Sequence, residues 1–498
     1  MKHRVLVPLL LLFLSLPAHA QSDGEVRDRR LVEVQNQAFA AIDRHDYETA
    51  EKLLREQITL DPDNFVPYYN LACVLSLKGE PAAAGDMLIK AVEHGFTDLR
   101  QMQEDPQLEA ARKDPAYRNL VRSWPDIIGQ HLEANLSAAQ KLFDGTYTVT
   151  KDERLRVAYL SAMDATSSEQ ARQDIARLYD WGLGNVFTGL ADEETARRNA
   201  WVVVVLPTGK DFLRWAAVTY GAAAVNNFSG IGGSYIHDQK RLVAQDLGAT
   251  LRHEFFHVLH WRDMIRRGQM HPIWIQEGLC SLVEDYECPD GTAAALRPVA
   301  SWRSNICKRL LGGGRLLPIS KLAAISRERF TGASPLANYG QARTIFLYLF
   351  DQGKLKDWYA HYTENFAEDP SGVKSFEAVF EMPIAEVDRA YRQWVKALPM
   401  VAEQIDPGDA GLGVDVEPGT GDGPVIVAIP RSLYGKPNPA ARSGLRIGDV
   451  ITSIDGAPTR DMNELVRLLG ERSVGDEVEV GYRRRSEHGT VRLKLGAN

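Results

Sequence analysis

Apolar positions recur every three to four residues from Leu31 to about residue 125. This predicts helices over Leu31–Arg44, Tyr47–Leu60, Tyr68–Leu77 and Ala82–Glu93. Turn formers, Asp61-Pro62-Asp63-Asn64 and Lys78-Gly79-Glu80-Pro81, interrupt the pattern, and Ala40, Ala50, Ala72 and Ala91 allow close helix contact. Between residues 145 and 245 the pattern shifts to short apolar runs. Leu155–Leu160 and Trp201–Leu206 read as strands, with a helix over Ser168–Trp181 capped by Ser167 or Ser168. Gly230 to Ile236 reads as a Gly-rich bend entering a strand. Leu247, Leu251, Phe255, Val258 and Leu259 then line one side of a helix. The chain continues helical and irregular to about residue 400, and Asp406-Pro407-Gly408-Asp409 reads as a linker. Beyond it, Val425–Ile429, Val478–Val480 and Val491–Leu495 read as strands around a helix over Met462–Leu469.

The length of 498 residues, with 44% hydrophobic and 25% charged, suggests about three domains of globular composition. A net charge of −8 without a basic block excludes nucleic acid as a partner. Residues 1–20 read as a signal peptide: Lys2, His3 and Arg4, an apolar core from Val5 to Leu16, and the cleavage site Pro17-Ala18-His19-Ala20. The expectation is a periplasmic or secreted protein without stable membrane insertion, since no other stretch approaches ~18 apolar residues. Four cysteines, Cys73, Cys280, Cys288 and Cys307, are too few for a disulfide framework. An oxidising compartment leaves a pair among the last three open. Cys280 follows Glu277 by three positions, where packing or a disulfide is favoured over a metal-ligand role.

The candidate chemistry lies in His253-Glu254-Phe255-Phe256-His257. Two His four residues apart share a helix face and reach one metal ion, while Glu254 points into the same cleft as a proton acceptor for a metal-bound water. That motif alone is common by chance. Glu277, twenty positions after His257, supplies a third ligand, and three protein ligands plus water is the open arrangement of a catalytic zinc. Glu284 comes two helical turns after Glu277 and is placed to orient a ligand His. His237, His260, His271 and His361 read as ordinary polar residues, and the Gly312-Gly313-Gly314 turn lacks the Lys of a phosphate loop.

These motifs resemble the gluzincin zinc metallopeptidases, in particular the peptidase MA-like group, over residues 145–400. Trp274-Ile275-Gln276-Glu277-Gly278 matches the family's W-x-x-E-G, whose Glu is the third ligand. The resemblance implies that Tyr339, opening a later apolar helix, stabilises the oxyanion, although its neighbouring Gly is one position away rather than three. It also implies that Ser234, Tyr235 and Ile236 form a sheet edge that pairs with substrate. The Gly-x-Met-Glu-Asn segment of the related aminopeptidases is missing, which favours an endopeptidase. Residues 31–125 resemble two tetratricopeptide repeats: Asp46-Tyr47-Glu48-Thr49-Ala50 returns as Gly79-Glu80-Pro81-Ala82-Ala83 about one repeat period (~34 residues) later. Residues 409–498 resemble a bacterial PDZ domain through Ala440-Ala441-Arg442-Ser443-Gly444-Leu445-Arg446-Ile447-Gly448-Asp449. There Leu412, Gly413 and Val414 are expected to hold a peptide C-terminus while the peptide adds to the sheet edge.

The expected fold class is multidomain α+β: a helical repeat module, a zincin-type domain with a mixed sheet and a helical subdomain, and a small β-rich PDZ domain. The expected function is an exported endopeptidase with one Zn2+ per chain, held by His253, His257 and Glu277. Glu254 and Tyr339 act on the substrate, Glu284 orients a ligand, and the repeat and PDZ modules recruit or regulate peptide or protein substrate. The rivals are an exported scaffold that binds peptides without cutting them, and an aminopeptidase.

Overall fold

The computed structural model describes residues 23–143, 147–192, 199–221, 232–419, 421–433 and 436–498. The expected signal peptide lies outside the described residues, as do Gly230 and Ile231 of the Gly-rich bend. The described chain forms two compact units. One holds the residues up to Asn135 with the short segment ending at Trp201, and the other holds the rest.

The first unit begins with helices α1 (Asp23–Asp43), α2 (Tyr47–Leu60), α3 (Phe65–Leu77) and α4 (Pro81–Glu93), each packed on the next. Local chemistry sets their starts. Asp46 accepts the N–H of Thr49, Asn64 accepts that of Val66, and Pro81 opens α4, where its missing N–H costs nothing. Ala38, Ala41, Ala50, Ala72, Ala84 and Ala91 are buried between the helices, so backbones approach closely. A further helix, α5 (Trp124–Phe143), occupies the stretch that sequence reading left between domains, and the division between units falls within it. Its buried stripe of Trp124, Ile128, Leu132 and Leu136 repeats every four residues.

The second unit is built on a five-stranded sheet of order β1-β2-β3-β5-β4. The strands are β1 (Thr148–Asp152), β2 (Val157–Ser161), β3 (Val202–Leu206), β4 (Gly233–Ile236) and β5 (Arg241–Ala244). The uninterrupted apolar runs of β2 and β3 are buried throughout and pair in parallel, as strands covered on both faces do. Helix α6 (Ala165–Asn185) crosses between them. Its cap is Asp164, which accepts the N–H groups of Thr166 and Ser167, rather than Ser167 or Ser168. The carboxylate reaches two donors at once where a hydroxyl reaches one. Strand β4 pairs antiparallel with β5 and is the sheet's edge.

Helix α7 (Gly209–Tyr220) follows β3, and α8 (Ala249–Arg267) packs on β4 and β5. Helix α9 (Ile273–Leu282) is buried at every position, its polar Gln276, Glu277 and Ser281 included. Helices continue to Ala397, among them α10 (Trp302–Gly312) and α11 (Pro335–Asp351). Trp358, Tyr362, Phe376 and Tyr391 are core residues, and Phe366, Phe380 and Trp394 pack against that core. All four cysteines are free thiols, so none of the pairings left open by the sequence is present.

The C-terminal part of this unit is an antiparallel sheet of order β10-β9-β8-β7-β6: β6 (Asp415–Glu417), β7 (Val425–Ala428), β8 (Val450–Ile454), β9 (Glu477–Arg484) and β10 (Glu487–Lys494). Helix α12 (Met462–Gly470) covers it, burying Leu465, Leu468 and Leu469 against Val478 and Val480. Gly496–Ala497 pairs with Ala410–Gly411, which closes the module on itself. The expected linker is tied into this closure, since the Gly408 N–H donates to the Asn498 carbonyl. No helix among the described residues is long and apolar enough to cross a membrane.

Candidate metal centre

Helix α8 presents His253 and His257 on one face, and α9 brings Glu277 opposite them. His253 Nε2 and His257 Nε2 stand 3.1 Å apart, and Glu277 Oε2 lies 3.3 and 3.6 Å from them. A tetrahedral zinc with bonds of ~2.0–2.2 Å separates its ligand atoms by about 3.3–3.6 Å. The donor set fits zinc: the two separations to Glu277 fall in that range and the His–His one is slightly shorter.

The surroundings hold these atoms in place. His253 Nδ1 meets Glu284 Oε1 at 2.9 Å, which turns Nε2 toward His257 and Glu277. Glu284 is gripped bidentately by Arg303, at 2.5 Å from Nε and 2.9 Å from Nη2. The expectation that Glu284 continues the helix of Glu277 is corrected here. Helix α9 ends at Leu282, and Glu284 returns toward His253 through the turn that follows. Arg303, on α10, also stands over the Tyr339 ring at 5.8 Å.

Burial lowers the His253 pKa, but its bonds to Glu277 and Glu284 outweigh that and bring it up to about 10. Burial raises Glu277, yet His257 and His253 outweigh it and hold the carboxyl well below its usual range. The two carboxylates thus make a strongly cation-favouring pocket. Glu254 is pushed above its usual value by burial, against the pull of His253 and His257. Its Oε2 accepts the Tyr235 N–H at 2.7 Å, so the edge strand orients it.

Of the three expected edge residues, Tyr235 turns its backbone to the cleft. In the antiparallel ladder with β5, Ser234 and Ile236 point their backbone groups the other way. Tyr339 sits one turn into α11, within electrostatic reach of Glu277 and Glu254. Burial first, and those carboxylates next, raise its phenol well above the usual value, so it is an O–H donor.

Close packing fixes Glu277. A Cβ on the adjacent Gly278 would lie 2.5 Å from the Phe346 ring and 3.1 Å from the Ala342 backbone. Trp274 stacks on Phe346 with centroids 5.3 Å apart. Gly278→Ala is expected to cost ~1–3 kcal/mol by overpacking and to displace Glu277. Urea unfolding and zinc stoichiometry measure both, and an unchanged protein would contradict this account of the close contact.

The other histidines are engaged elsewhere. His237 stacks on Trp261 and meets Tyr235 Oη and Lys240 Nζ, His260 meets His271 at 2.7 Å, and His361 meets Ser375 Oγ. Cys280 is buried in the core and lies outside the ligand cluster. A second grouping of Asp164, Asp422 and His488 is bridged by Arg483, which holds Asp422 with two bonds of 2.6 Å. Leu412, Gly413 and Val414 connect the Ala410–Gly411 strand to the edge strand β6. Leu412 is buried, and the Gly413 carbonyl accepts from Asn438 Nδ2 at 2.6 Å.

Three residues near the site had no sequence signal. They are Arg303, Arg327, whose guanidinium lies 3.4 Å from Gln276 Oε1, and Tyr220, which hydrogen-bonds Ser234.

Residues 410–495 match the PDZ domain family. A curated protein, the probable periplasmic serine endoprotease DegP-like of Halomonas elongata, is 41% identical over 58 residues, and the match covers 12% of each chain. An HtrA-type protease, AlgW, solved with a decapeptide, is 21% identical over 23% of this chain and 34% of its own, at a TM-score of 0.16. An aminopeptidase N family protein from Idiomarina loihiensis is 12% identical over 71% of this chain and 67% of its own, at a TM-score of 0.28. The chain is thus a multidomain α+β protein, mostly helical, whose C-terminal module is a PDZ domain.

Proposed function

We propose that the chain is an exported zinc-dependent endopeptidase whose PDZ domain binds peptide. The observation that carries the reading is the convergence of His253 Nε2, His257 Nε2 and Glu277 Oε2 at ligand spacing, with Glu254 held beside them by the edge strand. Zinc bound there supplies Lewis acidity, polarising a carbonyl and making water a stronger acid. The chain's own groups do the rest. Glu254 takes the proton of the attacking water on its carboxylate and later gives it to the leaving amine. Tyr339 donates its O–H to the oxyanion, and Tyr235, whose N–H is held by Glu254, offers its carbonyl to the peptide backbone. Glu284 and Arg303 keep His253 in the tautomer that leaves Nε2 free.

The sequence at the edge supports internal rather than terminal cleavage. Residues 221–236 contain no Asp or Glu, so this segment has no carboxylate for a substrate's amino terminus. The peptide site of the PDZ domain is assigned to Leu412, Gly413 and Val414 beside the free edge of β6, and the helical repeats are assigned to tetratricopeptide-like recruitment.

The test is a library of N-terminally blocked peptides incubated with the zinc-loaded mature protein. Internal cleavage that stops on chelation is expected. Cleavage confined to unblocked peptides would make the protein an aminopeptidase, and stoichiometric zinc without cleavage would favour the scaffold.

A further inference from the structure

The helix that carries His253 and His257 is capped only in part by its own segment: Asp246 Oδ1 accepts the N–H groups of Gly248 and Thr250, at 2.9 and 3.1 Å, but not that of Ala249. Gly248 precedes its first turn and offers no side chain, and a Cβ there would lie 2.3 Å from Asp461 Oδ2. Asp461, just before the PDZ helix α12, fills that place. Its Oδ2 accepts the Ala249 N–H at 2.9 Å, while its Oδ1 accepts the Glu464 N–H at 2.9 Å. One carboxylate thus caps two helices, the ligand helix and the PDZ helix. The backbone adds to this. Gly421 donates to the Gln245 carbonyl at 2.8 Å and accepts the Leu247 N–H at 2.9 Å, on the segment leading into α8.

Next to His253 stands Arg252, a buried cation. Its Nη1 donates to Glu464 Oε1 at 2.8 Å, and its guanidinium lies 3.8 Å from Asp174 and 4.0 Å from Asp461. Its Nη2 donates to the backbone carbonyl of Glu284, the residue that holds His253 Nδ1. Arg460 reaches Glu464 and Asp174 at 3.4 and 3.5 Å. Arg252 and Arg460 are therefore balanced by Asp174 from α6 and by Glu464 of the PDZ domain, while Asp461, its pKa pushed up to about 7 by burial and by Glu464 and Asp246, serves chiefly as a hydrogen-bond acceptor. Buried charge needs such partners, so the PDZ side chains complete an ion cluster that the ligand helix cannot close alone.

We propose that Asp461 and Glu464 are positioning residues of the metal centre. They dock the PDZ helix as a fixed part of the ligand scaffold, setting the first turn of α8 and, through Arg252 and Glu284, the tilt of His253. The proposal rests on the reading of His253, His257 and Glu277 as metal ligands. It makes the PDZ domain a structural complement of the centre and not only a tethered recruiter.

The test uses the full-length protein with Asp461→Ala, Asp461→Asn, Glu464→Gln and a control, Val480→Ala. The control loosens the PDZ core beneath α12 at a fully buried site while leaving both carboxylates in place, so it reads what lost packing alone does. Zinc affinity is read by chelator competition, the ligand field by the d–d bands of the cobalt(II) form, and the cap by amide exchange at Ala249 in metal-free protein. Asp461→Ala is expected to lose about tenfold in zinc affinity, shift the cobalt bands and speed Ala249 exchange. Asp461→Asn keeps an acceptor oxygen and is expected to stay within about twofold of the parent. Val480→Ala is expected to leave zinc affinity and the cobalt bands unchanged. If Asp461→Ala does not fold, Glu464→Gln decides, with a several-fold loss expected. Parent-like affinity and bands in the deciding variant overturn the proposal, as does a Val480→Ala variant that reproduces its effects. A parent protein that takes up no zinc overturns the metal reading, and is distinguished by failing before any substitution is made.

Discussion

Glu254→Gln is expected to lower kcat by ~10²–10⁴-fold, the usual worth of a general base, while stoichiometric zinc is retained. The structure separates the two outcomes because Glu254 is not one of the three atoms at ligand spacing. A Gln at this position still offers a carbonyl oxygen to the Tyr235 N–H, a bond of 2.7 Å in the parent, so its place in the cleft is preserved. What it loses is the ability to take a proton. The comparison is kcat on one blocked peptide, with metal content measured on the same samples. Activity within tenfold of the parent at full zinc occupancy would remove Glu254 from the mechanism. Loss of zinc in parallel with activity would instead make it part of the ligand framework.

How much of this was legible in the sequence depends on how local each signal is. His253 and His257 share a face because they are one helical turn apart, and Leu251, Phe255, Val258 and Leu259, read as the packed side, are all fully buried. The PDZ module carries its turn glycines and strand alternation within its own residues, so its family was legible too. Glu284 shows where the method ends: helical periodicity extrapolates only as far as the helix, which stops at Leu282. Its contact with His253 depends on a turn and on Arg303 from another helix. Asp461 lies further from any local signal, since it caps a helix 212 residues earlier in the chain. Helix α5 is a different case. Its four-residue stripe was present, but it lay between two segments already assigned to domains.

That turn leads to the other large expected effect, Arg343→Met. Arg343 is fully buried on α11 and donates to the carbonyls of Ser281 at 2.9 Å, Val299 at 2.7 Å and Asp285 at 3.4 Å. Its Nη2 also faces Asp285 Oδ2 at 3.8 Å. Burial lowers the Arg343 pKa and raises that of Asp285, and each group opposes the other's shift. Methionine fills similar volume but takes a charged donor from three carbonyls, of which those of Ser281 and Asp285 keep a backbone N–H, and removes the nearest counter-charge of the buried Asp285. Breaking a buried pair in this way costs ~3–5 kcal/mol, to be measured by urea unfolding. The double variant Arg343→Met with Asp285→Asn is expected to recover part of the loss, because the buried charge is gone while the guanidinium's bonds to the carbonyls remain lost. A single variant that loses less than ~1 kcal/mol, the scale of one ordinary hydrogen bond, would show that the segment holds itself. The functional consequence runs the same way. Arg343 ties down the residues from Ser281 to Asp285, and Glu284 lies among them. Zinc affinity should therefore fall together with stability, and the asparagine that restores part of the stability should restore part of the affinity only if the turn recovers its shape.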